Sequence, residues 1–374
     1  MTRTVHFVVP EGVDEPARVS GGNVYDLALR DGLTRLGWEV RMPAQADGDL
    51  SATLARLPDG SLALIDGLLA TRSPDAVSGE SARLRLVVLA HMVAASVVPE
   101  AERAAVAERE RRAFDAAGGI VATSRWIRDE LVAEGVARAD RIAVARPGVD
   151  PAPATDASDD GGRLLCVGAV APHKGQDVLV RALAGLDEGR DWTCTIVGSL
   201  EVDPDFAEAL TAVVESTGLA DRVRFTGVLT GRDLEDAYSA ADLVVAPSRA
   251  EGFGMAVADA LARGIPVLAS RVGGLPEALG DGGAGILVPP DDPWALRVVL
   301  QQWWRDSARR EALKAEAMRA RHSAPGWRET AETVAAALSG VLTAPDVAAT
   351  DQGTQLGTRL GTRLGAQRET GSRS

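Results

Sequence analysis

Around residue 250 the chain reads PSRAEGFGMAVADALARGIPV, which sets the carboxylate of Glu251 directly before Gly252, Phe253 and Gly254 and a second carboxylate, Asp259, eight residues further on. Glycines on both sides of an aromatic residue let the backbone approach a ligand closely. The helix that starts there, expected to run to Arg263 and close at Gly264, aims its first N–H groups at that ligand. Those groups suit phosphate or sugar oxygens. A carboxylate beside a phosphate would repel it, so Glu251 and Asp259 are suited instead to accept hydrogen bonds from hydroxyl groups. A nucleotide sugar carries both a diphosphate and two sets of hydroxyls, with Glu251 placed to address the transferred sugar and Asp259 the ribose. The plainer reading, two helix-start acids worth a few tenths to about 1 kcal/mol each, leaves the flanking glycines unexplained.

Three more stretches put chemistry-bearing residues just behind short apolar runs. RLLCVG ends at Gly168, and AVAPHKG then brings Lys174 to a helix start, a position the helix dipole disfavours for a cation unless it serves an anion such as a diphosphate. This is not a Walker A loop, because His173 and Gly175 stand where that loop needs Gly and Ser or Thr, so ATP hydrolysis of the P-loop kind is not expected. LRLVVLA ends at His91, whose imidazole can donate to a substrate oxygen or shuttle a proton, or serve as an ordinary structural histidine. Gly21 and Gly22 open the first helix and either let the backbone approach an anion or form a simple turn. His6, His173 and His322 show no ligand spacing with cysteines or acids, so no metal site is expected.

These residues need a scaffold. A chain of 374 residues suggests about two domains of roughly 150 residues each. An apolar fraction of 46% with 25% charged residues is that of a chain that folds by burial. The net charge of -13 argues against nucleic acid as a partner, which requires a basic surface. Cys166 and Cys194 both lie in apolar runs and read as buried reduced thiols. MTRTVHFVVPEG has no signal-peptide character, and no run of about 18 apolar residues occurs, so a cytoplasmic location is expected with peripheral membrane contact left open.

Short β-branched runs alternate with helical patterns throughout: VHFVVP, WEV, SLALID, LRLVVLA, GIVATS and RIAVA, then RLLCVG, TCTIVG, RVRFTG, LVVAPS, PVLAS and GILVPP. That rhythm predicts an α/β protein with two mostly parallel, doubly wound sheets. In the first helix, Val24, Leu27, Ala28 and Leu36 are expected on one face, with Gly37 closing it. DPAPATDASDDGG interrupts the periodicity as a linker would. The expected organisation is an N-terminal domain over 1–155, a second domain over 156–324 ending in a long helical stretch from Pro293 to Arg321, a final helix over 325–344, and a disordered Leu-Gly-Thr repeat tail over 345–374. In such sheets ligands collect at the carboxyl ends of strands, where strand order reverses.

With these residues in place, the chain resembles retaining glycosyltransferases of the GT4 family, which have the GT-B fold of two Rossmann-like domains facing a central cleft. The resemblance is carried by GGNVYDLALRDGLTRLGWEV, VGAVAPHKGQDVLVRAL, the stretch from RVRFTG to PVLAS, and RVGGLPEAL. Glu251 and Asp259 look like the two acids of that family's E-x7-E motif. The resemblance implies a nucleotide-sugar donor in the second domain and a hydroxyl acceptor (glycan, lipid or small molecule) in the first. It also implies metal-independent transfer with retained configuration, no cofactor beyond the co-substrate, and a last helix crossing back to the first domain. It implies that Lys174 holds the diphosphate, that Glu251 with the backbone of Phe253 and Gly254 holds the sugar, that Gly22 approaches the diphosphate, and that His91 contacts the sugar near the breaking bond. Two departures stand out. Ala169 takes a place where an arginine is common, and Asp259 that of a longer glutamate. A nucleotide-sugar epimerase of the same architecture, or a catalytically degenerate sugar-nucleotide binding module, are the alternatives. Ser124, Arg125 and Arg146 are positional candidates for the acceptor side.

Overall fold

A computed structural model describes residues 3–15, 19–43, 49–155, 158, 160–186, 191–280, 283–321 and 325–343. The expected repeat tail and His322 lie outside the described residues. The twelve apolar runs form twelve strands. The first six are β1 (Arg3–Val8), β2 (Trp38–Arg41), β3 (Leu62–Asp66), β4 (Arg85–Ala90), β5 (Gly119–Ala122) and β6 (Ile142–Val144). They build a parallel sheet in the order β2-β1-β3-β4-β5-β6. The second six are β7 (Arg163–Val167), β8 (Thr193–Val197), β9 (Val223–Phe225), β10 (Leu243–Ala246), β11 (Val267–Ser270) and β12 (Gly285–Val288), in the order β12-β11-β10-β7-β8-β9.

Central strands are covered on both faces, which is why they read as unbroken apolar runs. LALID of β3 is buried at every position. One face of the first sheet packs Ile65, Leu86, Val88 and Ile120 against Phe114 and Ile127. The other packs Val5, Phe7, Leu64 and Leu89 against Tyr25, Leu29 and Leu33 and against Ala331, Val334 and Leu338 of the final helix Trp327–Thr343. That last helix therefore belongs to the core of the first sheet although it follows the second in the chain. Among the described residues no helix is long and apolar enough to cross a membrane.

Two local expectations are corrected. The buried face of the helix Gly21–Arg35 is Tyr25, Asp26, Leu29, Gly32 and Leu33, while Val24 and Leu36 are 40% and 38% exposed. The stripe at 25, 29, 32 and 33 follows helical spacing more closely, and the buried face includes an acid because Asp26 has a polar partner, described below. The stretch from Pro293 to Arg321 is two helices, Pro293–Arg305 and Ser307–Ala320, because Asp306 breaks the first and caps the second through Arg309 N–H.

Gly32 marks the crossing of the first and last helices: a Cβ there would lie 2.6 Å from Ala331 Cβ. Gly32→Val should therefore overpack the crossing and cost about 1–3 kcal/mol. Hydrogen exchange should rise first in residues 327–343. Unchanged exchange there, with unchanged stability, would show that the crossing tolerates a side chain.

Candidate active site

Strand order reverses between β1 and β3 in the first sheet and between β7 and β10 in the second. The singled-out residues follow those strands or their neighbours: Gly21 and Gly22 after β1, His91 after β4, Lys174 after β7, and Glu251 after β10. Their assembly thus follows from topology.

In the second half, a short 3-10 turn at Pro172–Lys174 ends at Gly175, whose φ of +68° suits glycine. A Cβ at Gly175 would lie 2.1 Å from the Pro247 carbonyl oxygen, so the turn is pressed onto the loop behind β10. The N–H groups of Arg249 and Ala250 donate to the His173 carbonyl at 2.8 and 3.2 Å. The Arg249 side chain clamps the same junction, donating to the Pro172 carbonyl at 2.7 Å and pairing with Asp177 and Asp291 at 2.7 Å each. This clamp delivers Lys174 to Glu251: Nζ lies 2.7 Å from Oε2, with the side chains 22% and 15% exposed. The Lys174 stem lies over Gly168, where a Cβ would sit 3.6 Å from Cδ.

From the other side, Gly274 N–H donates to the Glu251 carbonyl at 3.0 Å, and a Cβ at Gly273 would meet that oxygen at 1.9 Å. Gly254, at φ +106°, then turns the chain into the helix Met255–Ala262. Asp259 lies one turn short of that helix's end, with Arg263 Nη1 3.9 Å from its carboxylate. Although 37% of its side chain meets solvent, surrounding protein pushes the Asp259 pKa up to about 6; Arg263 opposes this, and Asp150 and Glu235 add to it. Arg263 is itself held by Glu235 at 2.5 Å and lies over the Tyr238 ring at 4.5 Å.

In the first half, His91 is not alone. Its Nε2 lies 2.8 Å from Asp26 Oδ1 and 3.8 Å from Asp66 Oδ2, and Tyr25 meets its ring edge-on at 5.1 Å. Asp26 and Asp66 are 1% and 3% exposed. Asp66 also caps the helix Gly67–Arg72 by accepting from the N–H groups of Leu68 and Leu69 at 2.9 and 3.1 Å. Burial works against a charged His91, but the two carboxylates prevail and raise its pKa above the ordinary value. Burial likewise pushes Asp66 up, with His91 opposing. Among the described residues this is one trio whose ligating atoms lie within 4.8 Å of one another.

The halves meet at Gly252, where a Cβ would sit 2.1 Å from the His91 carbonyl oxygen. Ser124 donates to the Gly252 carbonyl at 2.7 Å while accepting from Ile127 N–H at 3.0 Å. Glu277 reaches across to accept from the N–H groups of Arg125 and Trp126 at 2.7 and 3.3 Å. Gly21 faces Met255, and Gly22 faces the His91 ring, where a Cβ would sit 3.7 Å from Cδ2.

Sequence reasoning singled out both members of the Lys174–Glu251 pair but only His91 of the first-half cluster, and missed Asp26, Asp66 and Glu277. Asp66 ends an apolar strand just as His91 follows one, a signal that could have been read. Asp26 interrupts an apolar stripe, which a correct assignment of the buried face would have exposed. Of the acceptor-side candidates, Ser124 is wholly buried in the junction between halves. Arg125 and Arg146 line a separate cavity of about 300 Å³ with Val144, Pro325, Glu329, Thr330 and Thr333.

Residues 153–320 match the family of glycosyl transferases group 1. The D-inositol 3-phosphate glycosyltransferase of Paenarthrobacter aurescens is 36% identical over 254 residues, covering 63% of this chain and 61% of the relative. That of Kineococcus radiotolerans is 36% identical over 252 residues, covering 60% and 57%. The chain thus spans about 60% of the length of the relatives it matches. Among solved structures, sucrose-phosphate synthase from Thermosynechococcus elongatus superposes with a TM-score of 0.76 at 21% identity, over 92% of this chain and 100% of that one. Anabaena HepE in complex with UDP-glucose gives 0.72 at 21% identity, over 90% and 99%. Residues 153–320 are thus similar to glycosyl transferases group 1, and the two-sheet architecture of the chain is the GT-B fold.

Proposed function

We propose that the chain is a retaining, metal-independent glycosyltransferase that moves a sugar from a nucleoside diphosphate sugar to a hydroxyl acceptor. The observation that carries this reading is the Lys174–Glu251 pair, a cation and an anion held 2.7 Å apart at the strand-order reversal of the second sheet. On donor binding the pair separates in function. Lys174 turns to the diphosphate and Glu251 to sugar hydroxyls, while the backbone at Gly252, Phe253 and Gly254 and the start of the helix Met255–Ala262 receive donor oxygens. Asp259 takes the ribose hydroxyls, and Gly22 closes on the diphosphate from the first half. Gly21 and Gly168 keep the backbone low where the donor passes.

Catalysis rests on stabilising the leaving diphosphate as its negative charge develops. The acceptor hydroxyl attacks from the leaving-group side, and its proton passes to the diphosphate. His91 lies beside the breaking bond. The names of the relatives and neighbours support UDP-sugars as donors to try first and D-inositol 3-phosphate among the acceptors. Two buried free thiols, Cys166 and Cys194, suit a reducing cytoplasm.

A panel of UDP-, GDP-, ADP- and TDP-sugars should raise the melting temperature for one donor, by mass action. Lys174→Ala should weaken that donor about 10- to 100-fold, the worth of a charge-assisted hydrogen bond, with a smaller loss of unliganded stability because Glu251 is left unpaired. Equal donor affinity in the variant removes Lys174 from the site, no stabilisation by any donor argues against a nucleotide-sugar site, and donor binding without transfer supports the degenerate binding module. With an acceptor present, nucleoside diphosphate release should survive EDTA. Sugar interconversion without an acceptor would instead identify an epimerase.

Asp259 yields a pH-dependent expectation. Its raised pKa means that ionisation costs stability, a cost that grows as pH rises from the unfolded value of 3.8 to about 6 and stays constant above. Asp259→Asn should therefore melt roughly 2 °C higher than wild type at pH 8 and equally at pH 4. The same variant should bind the donor more weakly at pH 8. A variant that is less stable and binds normally would assign Asp259 to the fold alone.

A further inference from the structure

The Asp26–His91–Asp66 cluster has a geometry that goes beyond contact between His91 and a sugar. A carboxylate 2.8 Å from Nε2 keeps the proton on that nitrogen. Nδ1 is then the ring nitrogen without a partner among the described residues, and its character depends on charge. Neutral imidazole presents a lone pair there, which a phosphate oxygen would avoid, whereas imidazolium presents an N–H donor. The groups facing the ring are Asp26, Tyr25 and the uncharged backbone of Gly22 from the helix Gly21–Arg35, and Asp66 from the end of β3. Both ionisable acids favour the charged ring, and no cation contributes to its titration. Lys174, the cation across the cleft, is matched by Glu251, so the ring is a separate source of positive charge.

Building on the proposed function, we infer that Asp26, backed by Asp66, is a positioning residue that holds His91 as an imidazolium whose Nδ1–H donates to the leaving diphosphate. No covalent step is involved. The proton stays on the ring while charge builds on the phosphate oxygens, and the ring returns unchanged when the diphosphate leaves. Asp26 itself does not touch substrate, being 1% exposed behind the ring.

The test is ring titration of the full chain by ¹⁵N-imidazole NMR, with His91→Gln to assign the signal, in wild type, Asp26→Asn and Asp26→Glu. His91 should titrate above the ordinary 6.5, with Nε2 protonated throughout. Asp26→Asn should lower the midpoint by about one pH unit, a tenfold loss of proton affinity, and Asp26→Glu should restore part of it. A midpoint that ignores both substitutions overturns the inference. Pyrophosphate affinity reads the consequence, since its own ionisation is common to all variants. The charge is present below 6.5 and lost as pH climbs through the raised midpoint. Wild type and Asp26→Asn should therefore bind pyrophosphate alike at pH 5 and differ several-fold near pH 7. A difference that does not vary with pH would mark Asp26 as merely structural and overturn the role. The ring titration needs no sugar nucleotide, so it reports on the cluster even where glycosyl transfer fails.

Discussion

Gly252 sits so close to the first half of the molecule that a Cβ would lie 2.1 Å from the His91 carbonyl oxygen, and the arrangement of the site depends on that contact. A single atom there would force the halves apart. On one side of the contact the chain has just presented Glu251 to Lys174; on the other, β4 has just delivered His91 to Asp26. The same peptide accepts from Ser124, which in turn caps the helix Arg125–Ala133, while Glu277 caps that helix from across the junction. Helix ends that would otherwise need their own caps are satisfied between the halves, so closing the cleft and satisfying the backbone are one event.

The charges at this junction are arranged for exchange. Lys174 and Glu251 neutralise each other, and on the proposed function a donor offers each a better partner, a diphosphate for the cation and hydroxyls for the anion. The fixed charges around them stay engaged elsewhere. Arg249 is held by Asp177 and Asp291, and Arg263 by Glu235, so neither is free to compete for the pair. Ala169 contributes no charge where the resembling family often has an arginine, so the proposed function rests the diphosphate on Lys174 and the imidazole of His91.

Much of this was legible in the chain. The strand runs were readable because central parallel strands are buried on both faces and leave long apolar stretches. Lys174, Glu251 and His91 were readable because strand ends in such sheets converge on the cleft. What escaped was whatever required a partner from far along the chain. The buried face of the first helix was misassigned because it is fixed by the final helix and by the Asp26–His91 bond, neither of which local periodicity contains. Glu277 escaped because the N–H groups that it caps lie some 150 residues earlier, at Arg125 and Trp126. Ser124 was read as an acceptor candidate from its position, whereas its hydroxyl is spent holding the halves together.

On the proposed function a donor replaces the Lys174–Glu251 pair at an otherwise unchanged junction. A crystal structure of the chain with its best stabilising sugar nucleotide tests this most directly. It should place the diphosphate on Lys174 Nζ and the first N–H groups of the helix Met255–Ala262, with Glu251 on a sugar hydroxyl and the Gly252–His91 contact intact. A nucleotide bound elsewhere, with Lys174 and Glu251 still 2.7 Å apart, would contradict it.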